Sequence, residues 1–381
     1  MTSAAGARTP VTAAGPVRLL VERPRPLLGL PVRGADGSVR SVGEHLTRTR
    51  TDAFLVMHDG VLVLEWYAAP RTREAPLALM SVTKSVIGCL AGVLVSRGRV
   101  DPDCPAAHWV PEIATTGYAG VTVRDLLDMR AGTDYRESHE DPDGEVVQLG
   151  RCLTGERSEG IHDLLTSSTR IATHGGPFCY RSLDTELLGW VVERASRKPI
   201  AQLVEEWILA PLGAERDGSM AVDARGVASA AGGLALTGRD VARFGQMLLD
   251  GGAAGRHQVV PPEWVKDIRV GADDSIEAFR RRVVEGSAAD VPGPASAMYR
   301  NQFWVPEKGG RAFLALGIYG QYVRVDGDSG TVVVKLSSWT RPQDPERFTD
   351  GLACAEACAD HLGGHSIPYI SLYSQHPRSR K

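Results

Sequence analysis

The chain has 381 residues, 43% hydrophobic and 23% charged, values that fit a globular protein with a sizeable core and exclude a disordered or fibrous one. Lys+Arg 43 against Asp+Glu 46 leaves a net charge of −3, so no global field gathers nucleic acid or anionic lipid. At this length two lobes or one large domain are expected, with 42 glycines and 23 prolines placing many turns between short elements.

The opening MTSAAGARTPVTAAGPVRLL lacks the continuous apolar stretch of a secretory signal and reads as a disordered cytoplasmic leader. No window approaches the ~20 apolar residues of a membrane span, so a soluble, cytoplasmic protein is expected. From Ala53, AFLVMHDGVLVLEWY places two β-rich runs around His58-Asp59-Gly60, a strong hairpin signal. A helical middle follows, with short amphipathic helices expected over Ser81–Arg97, Thr122–Met129, Gly160–Ser167, Ser182–Ala195, Ile200–Leu209 and Gly238–Leu249. Arg136–Arg157 is acidic and polar and reads as a surface loop; Gly271–Pro294 reads as a second irregular region.

Near the other end FLALGIYGQYVRV and TVVVKLSSW flank Asp326–Gly330, repeating the strand, turn, strand pattern. A terminal helix is expected over Pro345–His361, with Gly363-Gly364 as its stop. The resulting expectation is an α+β chain: an antiparallel sheet flanked by helices, with a mainly helical second lobe. Its divisions fall at 1–50 (leader and N-terminal extension), 51–80 with 235–365 (split sheet domain), 81–234 (helical lobe) and 366–381 (tail).

Six scattered cysteines in a chain without a secretory signal read as free thiols. Cys354 and Cys358 share a helical face near His361 and His365, yet a three-residue gap is not the two-residue gap of paired zinc cysteines. No metal and no cofactor are expected, and no dinucleotide or triphosphate motif is present.

Ser81-Val82-Thr83-Lys84 stands where a Pro-containing loop meets an apolar helix. At i and i+3 on a helix the Lys84 amine can return to the Ser81 hydroxyl, and a desolvated lysine can serve as the base a serine nucleophile needs. A serine at a helix N-terminus also has free backbone N–H groups beside it for a developing oxyanion. No Gly-x-Ser-x-Gly elbow offers a rival nucleophile.

LMSVTKSVIGCLAGVLVSRGRVD, followed by VTVRDLLDMRAGTDY, resembles the class C β-lactamase and penicillin-recognising serine hydrolase superfamily. ESHEDPDGEVV, FCYRSLDTELLGWVVER, AAGGLALTGRDVARFGQMLLDGG and GIYGQYVRVD with VVVKLSSW are most similar to the 6-aminohexanoate-dimer (nylon-oligomer) hydrolases, over about Thr51 to Leu362. The resemblance implies Ser81 as acylated nucleophile, Lys84 as proton acceptor, and Tyr180, in Tyr180-Arg181-Ser182, as the phenol that relays the proton with a pKa lowered by Lys84. It further implies an oxyanion hole from the Ser81 and Ile318 backbone N–H groups, and substrate contacts at His139, Ser182, Gly317, Tyr319 and Gln321.

Three departures bear on substrate. Leu316-Gly317-Ile318 stands where lactamases carry Lys-Thr-Gly, so the carboxylate anchor is missing; His139 stands where the dimer hydrolases carry Tyr; and Tyr319-Gly320-Gln321 replaces their His-Gly-Gln. The expected activity is hydrolysis of a linear amide or small ester through an acyl-enzyme. The alternatives are transacylation to an amine or alcohol and, in another class, a non-catalytic penicillin-recognising binding module. A homodimer is left open.

Overall fold

The computed structural model describes residues 6–139, 141–282 and 294–363. Eight segments join into the main sheet: β1 (Val21–Glu22), β2 (Thr51–His58), β3 (Val61–Tyr67), β4 (Met298–Arg300), β5 (Phe303–Val305), β6 (Ala312–Gly317), β7 (Gln321–Asp326) and β8 (Thr331–Ser337). Their spatial order is β4-β5-β6-β7-β8-β2-β3-β1. Neighbours run antiparallel except β1, which lies parallel to β3.

The two expected hairpins are its centre. Asp59 and Gly60 both have positive φ (47° and 79°), the backbone of a two-residue turn that matches strand twist. Along β2, Phe54 and Val56 belong to one apolar cluster and Leu55 and Met57 to the other, as alternation across a pleat requires. Both faces are therefore covered.

Four helices matter to the site: α1 (Val82–Ser96), α2 (Ser182–Ser196), α3 (Gly238–Leu249) and α4 (Pro345–Gly363). α3, capped by Thr237, contributes Val241, Ala242 and Phe244 to the cluster of Leu55, and α4 contributes Leu352, Cys354, Ala355 and Cys358 to that of Phe54. Cys354 and Cys358 are thus small buried core residues, with burial pushing their thiol pKa values up. α1 is buried from Val82 to Leu94, between α2 and the sheet, which is why it is apolar all round.

The second lobe is mainly helical but holds a four-stranded sheet, in the order Arg8–Val11, Gly218–Ala221, Leu234–Leu236, Leu77–Ala78. The leader is therefore not disordered from Arg8 onward: Val11 is fully buried, and the Arg8 guanidinium donates to Ser219 Oγ (2.8 Å) and Gly233 O (2.7 Å). Nor is the N-terminal extension one unit, because Val21–Glu22 is an edge of the main sheet and Val42–Arg48 packs on α4.

Arg136–Arg157 contains a helix, Glu145–Thr154, whose Leu149 and Cys152 are buried. Gly271–Pro294 contains another, Ser275–Arg280, and residues 283–293 lie outside the described residues. Ile200–Leu209 continues through a wider π turn to Leu212. The tail 366–381, with Gly364 and His365, lies outside the described residues. Among the described residues no helix is long and apolar enough to cross a membrane.

Candidate active site

Leu77–Ala78 leads directly to Ser81, and Met80 between them has φ 47°, a left-handed conformation that costs a side-chain-bearing residue ~1–3 kcal/mol. This tight turn, closed by Val82 N–H to Leu79 O (3.1 Å), sets Ser81 at the N-cap of α1. Among the described residues no protein acceptor takes the Ser81 backbone N–H. β6 passes alongside: a Cβ built on Gly317 would stand 3.1 Å from Ser81 N and 2.9 Å from Leu79 O, so only glycine permits this approach. Ile318 follows on the cleft wall.

Lys84 is fully buried in α1, and its Nζ is 2.8 Å from Ser81 Oγ, 3.1 Å from Ser182 Oγ and 2.9 Å from Ala231 O. Burial pushes its pKa down to about 8, against the opposing charges of Glu137 and Glu186. Ser182 Oγ donates to Glu137 Oε1 (2.7 Å) and its backbone N–H to Oε2 (2.8 Å). With its own proton committed to Glu137, Ser182 accepts from Lys84, and Ala231 O accepts a second Lys84 hydrogen. In the neutral amine the remaining lone pair then faces Ser81.

Tyr180 precedes α2 and is held by its neighbours. Cys179 N–H bonds to Met129 O (2.9 Å), and the buried Arg181 guanidinium donates to Ala131 O (2.6 Å) and Tyr135 O (3.3 Å). The Lys84 Nζ is 5.1 Å from the Tyr180 ring centroid, and the ring stacks on Trp304 at 5.5 Å. The expected lowering of its pKa is corrected here: burial, then the Glu137 charge, push the phenol up, so it stays protonated.

These groups open into a surface cleft. Its apolar lining is Tyr180, Trp304, Leu316, Ile318, Trp339, Pro342 and Phe348; Ser81, Glu137, His139, Gln343 and Asp344 supply the polar atoms. His139 reaches the cleft, with a buried Nε2 that has no partner among the described residues and a pKa lowered by burial, the charge of Glu137 raising it and that of Lys84 lowering it. No cluster of residues fit to hold a metal ion occurs among the described residues.

Three expected substrate contacts are placed elsewhere. Ser182 is buried behind the cleft as the link between Lys84 and Glu137. Gln321 is buried too, its amide spent on Tyr319 O (3.2 Å), Ser337 O (2.8 Å) and Ser337 N–H (2.9 Å), so it ties β7 to β8. Tyr319 turns at φ 62° with its N–H on Pro342 O, and its side chain is not part of the lining. Conversely, Glu137, Trp304, Trp339, Phe348 and Asp344 were not identified from sequence. Glu137 lay within an acidic run that read as solvated, and the aromatic walls come from strand ends and a helix start that carry no motif.

A sequence profile of the Beta-lactamase family matches residues 39–355. The 6-aminohexanoate-dimer hydrolase of Paenarthrobacter ureafaciens is 35% identical over 306 residues, 78% of this chain and 75% of that protein. Esterase EstB of Burkholderia gladioli is 30% identical over 152 residues, 38% of each chain. Among solved structures, one from Bacillus anthracis provisionally described as a 6-aminohexanoate-dimer hydrolase superposes with a TM-score of 0.83 at 27% identity, covering 94% of this chain and 92% of that one.

Proposed function

The chain belongs to the Beta-lactamase family, and from that membership and the geometry around Ser81 we propose that it is a serine hydrolase cleaving a linear amide or small ester through an acyl-enzyme on Ser81. The observation that carries the proposal is a buried lysine with a pKa of about 8, its amine 2.8 Å from a partly exposed serine at a helix start inside a largely apolar cleft.

In this reading neutral Lys84 takes the Ser81 proton as Oγ attacks the carbonyl carbon, and the tetrahedral oxyanion is met by the Ser81 and Ile318 backbone N–H groups. Tyr180, kept protonated by its burial, passes a proton to the leaving amine or alcohol and is recharged from Lys84. Water then attacks the ester, the acid leaves, and Ser81 recovers its proton. An added amine in place of water would give the transfer product from the same intermediate.

A fluorophosphonate probe should label wild-type protein and not Ser81→Ala, and Ser81→Ala should lose turnover of p-nitrophenyl esters. Labelling elsewhere, or turnover retained in Ser81→Ala, would sink the assignment.

A further inference from the structure

The charge lining this cleft is one-sided. Glu137 and Asp344 present carboxylates, and among the described residues no lysine or arginine lines it. Three basic side chains lie close behind the walls, outside the lining. Lys84 spends its hydrogen-bonding capacity on Ser81, Ser182 and Ala231 O. Lys335 is 0% exposed on β8, bonded to Ser337 Oγ (2.6 Å) beneath the ring of Trp339, with its Nζ 5.0 Å from the ring centroid and its pKa brought down to about 7 by burial. Arg347, outside the lining, is partly exposed and pairs through Nε with Asp344 Oδ2 (3.1 Å), which offsets that carboxylate's charge; its buried Nη1 has no partner among the described residues.

A ligand carboxylate entering this space would lose water and meet the Glu137 carboxylate, the Arg347-paired Asp344 and aromatic faces, with no lysine or arginine of the lining to replace its hydration. The stacked Trp304 and Tyr180, together with Trp339, Phe348 and Ile318, give the cleft its apolar lining around Ser81.

We propose that the substrate is an uncharged acyl donor with apolar arms, and that the cleft rejects a carboxylate on either arm. This rests on Ser81 as the nucleophile. The 6-aminohexanoate dimer named for the Paenarthrobacter relative ends in a carboxylate, so it is a poor substrate for this chain by the same argument.

The test compares donors matched in length and differing at one end: p-nitrophenyl hexanoate with the p-nitrophenyl monoester of adipate, and N-hexylhexanamide with N-hexanoyl-6-aminohexanoate. The neutral member should lead by about tenfold or more in kcat/KM within each pair, and Gln343→Arg, which sets a cation on the lining, should shrink the gap. Equal rates, or a lead for the carboxylate, would overturn the inference. Binding of the same amides to Ser81→Ala by calorimetry separates the two readings. If no donor is turned over but the neutral amide binds more tightly, the nucleophile assignment fails and the charge selectivity stands. If both amides bind alike, the selectivity fails whatever the chemistry.

Discussion

Lys84 shows how a single residue acquires its chemistry from others. Its four-carbon stem lies in α1, where neighbouring apolar side chains remove water and bring its pKa down to about 8. Only the neutral amine can take the Ser81 proton, so kcat/KM should rise with pH and level off above an inflection near 8, measured on a neutral ester from pH 6 to 10. Lys84→Ala should cost ~10²–10⁴-fold in kcat with the thermal midpoint little changed. Glu137 raises the Lys84 pKa by its charge and orients Ser182 by two hydrogen bonds. Glu137→Gln should therefore move the inflection to lower pH and reduce the plateau about tenfold, since the amide places a donor against the Ser182 N–H. A purely structural role would lower stability without moving the inflection. Ser81 and Lys84 were readable in the chain because their spacing is local. Glu137 was not, because what makes it matter is Ser182, 45 residues on.

At the scale of elements, the site is a meeting of four ends: the start of α1, the end of β6, the residues before α2, and the approach to α4. β6 must come within backbone distance of the Ser81 turn, and Gly317 is the residue that allows it. Its φ of −141° is open to any residue, so Gly317→Ala tests contact alone. The new methyl, 2.9 Å from Leu79 O, should push β6 away from α1 and lower kcat/KM ~10–100-fold with little loss of stability. An unchanged rate would show that the approach of β6 is not needed. The strand pairs and long helices were legible from turn chemistry and periodicity, as at Asp59-Gly60 and in α3. The helix at Glu145–Thr154 was missed because its charged outer face and its flanking Asp-Pro-Asp-Gly outweighed two buried residues in the composition.

Across the whole molecule, the two lobes are tied by segments far apart in the chain. Arg8–Val11 is the edge of the second lobe's sheet, and at that sheet's other edge Leu77–Ala78 runs into Ser81. Removing residues 1–12 should withdraw the burial of Val11, ~1.5–3 kcal/mol, expose the Gly218–Ala221 edge, and lower the thermal midpoint by several degrees; an unaltered midpoint would show that strand to be dispensable. By itself the sequence determined what is set by neighbours along the chain: the Ser81–Lys84 face, the hairpins, the helical middle, and the family to which these blocks belong. Only the tertiary structure decided what depends on surroundings assembled from distant segments. These are the raised pKa of Tyr180, the link from Lys84 through Ser182 to Glu137, the withdrawal of Gln321 and Ser182 from the cleft, and the burial of Lys335 behind it. A pKa or a cleft's charge is a sum over groups in space, and sequence spacing reports only the nearest of them.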